Sequence, residues 1–101
     1  MSLDEYLIPR RDASYMLKVK GDSMKDAGII EGDMVIVERT NDARPGNIVI
    51  AEVDGAWTMK YLRKKDDKFY LEAANTRYKD IHPEGELKIQ AIVRSVVRKY
   101  S

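Results

Sequence analysis

Turn signals recur along this chain at short intervals, and they leave room for strands but for almost no helix. Gly21-Asp22, Glu31-Gly32-Asp33, Pro45-Gly46-Asn47, Asp54-Gly55 and Asp66-Asp67 separate short apolar or alternating runs, the spacing expected of an all-β domain. Tyr15-Met16-Leu17-Lys18-Val19-Lys20 alternates, with Tyr15, Leu17 and Val19 on one face. Met34 to Val37 is a continuous apolar run. Both residues of Asp54-Gly55 tolerate positive φ, so Ile48–Val53 and Ala56–Arg63 are expected to pair as an antiparallel hairpin. Asp66-Asp67 precedes a strand over Lys68–Glu72, and Asn75 to Gly85 reads as irregular. Lys88–Arg98 is the last long strand. It carries Leu87, Ile89, Ala91 and Val93 on one face and Ile92 and Val96 on the other, which predicts cover on both sides, by the core and by a partner subunit. Helix is limited to one turn at Ser23–Ala27, with Ser23 as N-cap and Gly28 as stop, and a second at Asp4–Ile8, cut off by Pro9.

A chain of 101 residues supports one domain, with its core over about residues 15–98. The predicted fold is mainly β: short, strongly bent antiparallel strands with one or two helical turns. Absence of cysteine excludes a disulfide framework and a thiol nucleophile. A single histidine, His82, excludes a His-rich metal centre, and no metal or other cofactor is expected. The net charge of +1 gives no electrostatic case for binding nucleic acid through this domain. Apolar runs fall far short of the roughly 20 residues that cross a bilayer, and Asp4 and Glu5 stand where a signal peptide needs positive charge. The expectation is a cytoplasmic protein without a membrane partner.

Gly21-Asp22-Ser23-Met24 puts a serine at a tight turn between a strand and a helical turn. Glycine allows the sharp bend, and the first amides of such a turn point outward unpaired. An exposed hydroxyl beside free N–H groups suits a nucleophile with an oxyanion hole. By itself the serine reads first as a helix cap in a loop, ahead of a nucleophile. A nucleophilic serine also needs a base. His82 lies in the turn His82-Pro83-Glu84-Gly85 and reads as a solvated loop residue. Lys60 lies inside Ala56-Trp57-Thr58-Met59-Lys60-Tyr61-Leu62, among apolar and aromatic neighbours. A lysine base must be neutral near pH 7, roughly three units below its ordinary value, which takes about 4 kcal/mol of desolvation. Alternation puts Thr58 on the face of Lys60, where its hydroxyl can orient the amine. The alternative is a lysine reaching to water from a strand edge.

Several segments in order resemble one family. Ser14 to Ile29, containing Gly21-Asp22-Ser23-Met24, is similar to the nucleophile segment of the LexA-like peptidases, which include LexA, phage repressors and the UmuD mutagenesis protein. The resemblance continues through Gly32-Asp33, Pro45-Gly46-Asn47-Ile48-Val49-Ile50-Ala51, Thr58-Met59-Lys60-Tyr61-Leu62 and Asn75-Thr76-Arg77-Tyr78. Leu3 to Ile8 and Ala13-Ser14-Tyr15 resemble the UmuD branch most. The resemblance implies a LexA/signal-peptidase-like fold and a Ser–Lys endopeptidase that cleaves its own chain. Ser23 would be the nucleophile, Lys60 the base and then acid, and Thr58 the group that orients Lys60. The amides of Asp22 and Ser23 would hold the oxyanion, and Met24 would wall the cleft. It also implies a homodimer and stimulation by RecA filaments on single-stranded DNA.

Two departures bear on this. The family cleaves at an Ala-Gly or Cys-Gly bond upstream of the serine, and no such pair precedes Ser23. No helix-turn-helix is legible either, so contact with DNA would need a further domain. Three roles remain open: the self-cleaving domain of an SOS or prophage repressor, a UmuD′-like accessory subunit of a translesion polymerase, and a peptidase acting in trans.

Overall fold

The computed structural model describes residues 13–100, so the helical turn expected at Asp4–Ile8 lies outside the described residues. Six strands, β1 (Ser14–Lys18), β2 (Met34–Glu38), β3 (Ile48–Val53), β4 (Ala56–Lys65), β5 (Lys68–Glu72) and β6 (Leu87–Val97), form one sheet, with a 3-10 turn at Lys25–Ala27. All paired strands are antiparallel. Their spatial order is β1-β2-β6-β3-β4-β5. The last strand in sequence is thus inserted at the centre, joining the β1–β2 pair to the β3–β4–β5 meander. No helix among the described residues is long and apolar enough to cross a membrane.

The hairpins follow from their turn residues. Val53 pairs with Ala56, and Asp54 and Gly55 both take positive φ, 49° and 86°, the backbone of a type I′ turn whose twist matches the strands. Lys65 pairs with Lys68, and Asp66 and Asp67 also take φ of 51° and 61°. No glycine relieves this second turn, so two L-residues sit in the left-handed region at a cost.

β6 departs from the alternation expected of it. Ile50 pairs with Ala91, yet the next residue, Ala51, pairs with Ile89, which leaves Gln90 as an extra residue. On the other side Ile36 pairs with Ser95 and Val37 with Val93, which leaves Arg94 extra. Each bulge shifts the side-chain sequence by one and so exchanges faces. Leu87 and Ile89 therefore pack with Ile92 against Val49, Ala51, Leu62 and Leu71. Ala91 and Val93 pack on the opposite layer, with Val19, Met24, Val35, Val37 and Ile50. Assigning Leu87, Ile89, Ala91 and Val93 to one face is thus corrected: strict period two does not survive inserted residues. Both faces of β6 are apolar because each closes a different core of the same chain. Only at its far end do Val96 and Val97 emerge, 39% and 37% exposed. Val37, Val49 and Leu71 are completely buried, each side chain contributing about 1.5–3 kcal/mol by leaving water.

A buried ion pair ties the end of β6 to the segment before β2. Asp33, nearly inaccessible, accepts Arg98 Nε at 2.7 Å on Oδ1 and Arg98 Nη2 at 2.8 Å on Oδ2. Arg98 Nη2 also donates to the Gly28 carbonyl at 2.8 Å. The guanidinium, helped by the Ile30 amide, holds the Asp33 carboxyl down at about 2.

Candidate active site

Ser23 lies in the connection between β1 and the 3-10 turn. Gly21 makes the bend with φ of 78°, and its amide donates to Glu31 Oε1 at 3.0 Å. The 3-10 turn begins one residue later than its sequence suggests. Its N-cap is Met24, and no side chain caps it. Ser23 is therefore not a cap, a correction that leaves its hydroxyl free for another partner. That partner is Lys60, whose Nζ lies 3.2 Å from Ser23 Oγ.

Lys60 sits in mid-β4, opposite Val49, and is only 7% exposed. Its Nζ donates to Thr58 Oγ1 at 2.5 Å, as the period of the strand predicts for residues two apart. Among the described residues the amine makes no ion pair, and burial pushes its pKa below the ordinary 10.5. Desolvation penalises the ammonium and leaves the free amine relatively favoured. In that neutral form the contact with Ser23 reverses, the hydroxyl donating to the nitrogen lone pair.

A second loop clamps the serine from behind. Asn75, buried, donates from Nδ2 to the Asp22 carbonyl at 2.9 Å, and its Oδ1 accepts the Arg77 amide. The Asp26 amide donates to the Ala74 carbonyl at 2.8 Å. Tyr78 donates its hydroxyl to Asp22 Oδ1 at 2.7 Å, and its ring centroid is 6.0 Å from Lys60 Nζ. The Tyr78 bond keeps the Asp22 carboxyl below its usual range and raises the phenol in turn. Asn75 and Tyr78 carry no assigned role in the sequence reading. An Asn-x-x-Tyr run in an irregular segment was the available signal, since a buried amide demands partners.

The Ser23 hydroxyl and Lys60 amine open on a cavity of about 230 Å³ that also touches Gly21, Asp22, Thr58 and Tyr78. Val19, Lys20, Thr58 and Met59 line both this cavity and a neighbouring apolar one of about 360 Å³, floored by Val35 and Ile50 and flanked by exposed Trp57. Together they form a trough leading to the serine. Met24 borders the cavity but is 1% exposed and packs chiefly in the core. Among the described residues the Asp22 and Ser23 amides donate to no backbone carbonyl; that of Asp22 supports its own carboxylate. His82 is exposed and stacks on Tyr70, with ring centroids 4.9 Å apart. No group of three or more His, Asp or Glu among the described residues is arranged to hold a metal ion.

A loop serine bonded to a buried strand lysine on a small β scaffold brings a hydroxyl together with an amine chemically able to accept its proton. The family model described as Peptidase S24-like matches residues 1–94, and the chain belongs to that family. It is 39% identical over 92 residues to the LexA repressor of Shewanella piezotolerans, covering 88% of this chain and 45% of that protein. It is 38% identical over 89 residues to the LexA repressor of Vibrio atlanticus, covering 85% and 43%. It is 39% identical over 92 residues to LexA repressor 2 of Pseudomonas putida, covering 89% and 46%. The chain thus spans less than half the length of these curated relatives.

Proposed function

We propose that this domain, residues 1–101, is the peptidase and dimerisation part of a LexA-like SOS or prophage repressor, cutting its own chain through Ser23 and Lys60. The observation that carries the reading is the 3.2 Å contact between the Ser23 hydroxyl and a desolvated lysine amine. In the first step the neutral Lys60 amine takes the Ser23 proton as Oγ attacks the carbonyl carbon of a peptide bond lying in the trough. The amide of Ser23 stabilises the resulting oxyanion, joined by that of Asp22 as it turns from its own carboxylate. The Lys60 ammonium then returns the proton to the leaving amine as the C–N bond breaks, giving an acyl-enzyme. Water, deprotonated by Lys60, releases the acyl group and regenerates the serine. Thr58 keeps the amine aimed throughout, and Met24 walls the cleft. RecA filaments on single-stranded DNA stimulate the cleavage, and a second copy docks at the exposed end of β6, around Val96 and Val97. The protein acts in the cytoplasm.

The decisive experiment expresses the full-length gene product, activates RecA and follows cleavage in wild type, Ser23→Ala and Lys60→Ala. Cleavage stops in both variants; its persistence in either one refutes the dyad. Resemblance of Leu3–Ile8 and Ala13–Tyr15 to the UmuD branch favours a second reading, an accessory subunit that binds a translesion polymerase. A helix-turn-helix encoded ahead of this domain excludes that reading.

A further inference from the structure

The dyad faces an electrostatic hazard of its own making. Asp22 is bonded in sequence to the nucleophile and lines the same cavity as Lys60. A carboxylate within about 4–6 Å of a lysine raises its pKa by roughly one to three units, which would undo what burial achieves. Yet among the described residues no ion pair joins the two, and burial sets the direction in which Lys60 is shifted. The carboxylate is engaged by another group. Its partner is the Tyr78 hydroxyl at 2.7 Å, on a loop anchored by the Asn75 bond to the Asp22 carbonyl.

We propose that Tyr78 is a positioning residue: its hydroxyl parks the Asp22 carboxylate away from Lys60 and thereby keeps the amine free of a counter-ion. The inference rests on reading Ser23 and Lys60 as the dyad. The charged and titratable groups around the amine are few. From the nucleophile loop come Lys20 and Asp22, and from the 75–78 loop Tyr78; β4 supplies Thr58 and Met59 beside the amine, and β3 the apolar Val49, while Arg77 acts on Asp22. Asp26, Glu72 and Asp80 line a separate hollow that Tyr78 also borders. Among the described residues Asp22 is thus the one acid on the cavity of Lys60. Tyr78→Phe removes the tether and retains the ring that shields the amine.

The test follows two readouts in wild type, Tyr78→Phe, Asp22→Asn and the double variant. The first is the NMR titration of the Lys60 Cε signal, assigned with Lys60→Arg. The second is the rate at which a fluorophosphonate labels Ser23 across pH. In Tyr78→Phe the Lys60 midpoint rises by about one unit, and labelling at neutral pH slows about tenfold. With Asn at position 22, the same tyrosine change moves neither readout. An unchanged midpoint in Tyr78→Phe overturns the inference, as does a rise that persists in the double variant. Should the midpoint shift as expected while no variant is labelled at Ser23, the charge control stands and the dyad reading falls.

Discussion

Lys60 is held in a place where an ammonium is unwelcome, and the cost falls on the fold. The unfolded chain keeps this lysine protonated up to 10.5, whereas the folded protein releases the proton earlier. Between the folded value and 10.5 the unfolded state binds more protons, so stability rises with pH across that window. Below the folded value the penalty is present in full. Lys60→Met keeps the volume and removes the charge, so at pH 7 it raises Tm by a few degrees while lowering cleavage at least about 10²-fold. Thermal melts from pH 7 to 11 check the sign: the gap between variant and wild type narrows toward 10.5. A gap constant with pH would show that desolvation of this lysine is not the cause. At this scale the sequence was informative about Ser23, Thr58 and Lys60, because alternation and a glycine turn are local signals. It was silent about Asn75 and Tyr78, whose partner lies in the loop around Asp22, more than fifty positions away. Such a contact has no local trace.

Among the elements, the two hairpin turns differ in a way that stability can read. Asp54-Gly55 has a glycine at its second left-handed position, while Asp66-Asp67 has an aspartate there. Replacing Asp67 with glycine removes steric strain from the native turn and adds freedom to the unfolded chain, the first effect exceeding the second. Asp67→Gly is expected to stabilise by about 0.5 kcal/mol, or about 2–4 °C in Tm for a domain of this size, measured by calorimetry. A lower Tm would mean that the Asp67 side chain contributes more than its backbone costs. Strand positions and turns were legible from sequence for the same reason that this prediction can be made: turn chemistry is local. The sidedness of β6 was not. Gln90 and Arg94 carry no mark that distinguishes a bulge from an ordinary strand residue, and only pairing to β3 and β2 reveals them.

For the molecule as a whole, the Asp33–Arg98 pair sets behaviour in acid. The carboxyl titrates at about 2 in the folded protein against 3.8 as a free side chain. Its folded value is depressed, so its contribution is complete above 3.8 and fades as pH falls toward 2. Asp33→Asn is therefore less stable than wild type at neutral pH, and the difference closes over that interval. Urea unfolding at a series of pH values checks this; parallel curves for the two proteins would assign the acid sensitivity to other carboxylates. That Asp33 meets Arg98 was invisible in the sequence, since the two stand 65 positions apart and only the pairing of Met34 with Val97 brings them together.

The place of β6 bears on when the protein becomes a peptidase at all. Ser23 belongs to the half of the sheet built by β1 and β2, Lys60 to the half built by β3, β4 and β5, and β6 is the strand between them. A nascent chain emerging from the ribosome carries both residues long before it carries Leu87–Val97. Until that final strand is synthesised and paired, nothing in the sheet holds the two halves side by side. The order of synthesis thus acts as a timer, and the proposed scissors close only after the last strand has been delivered.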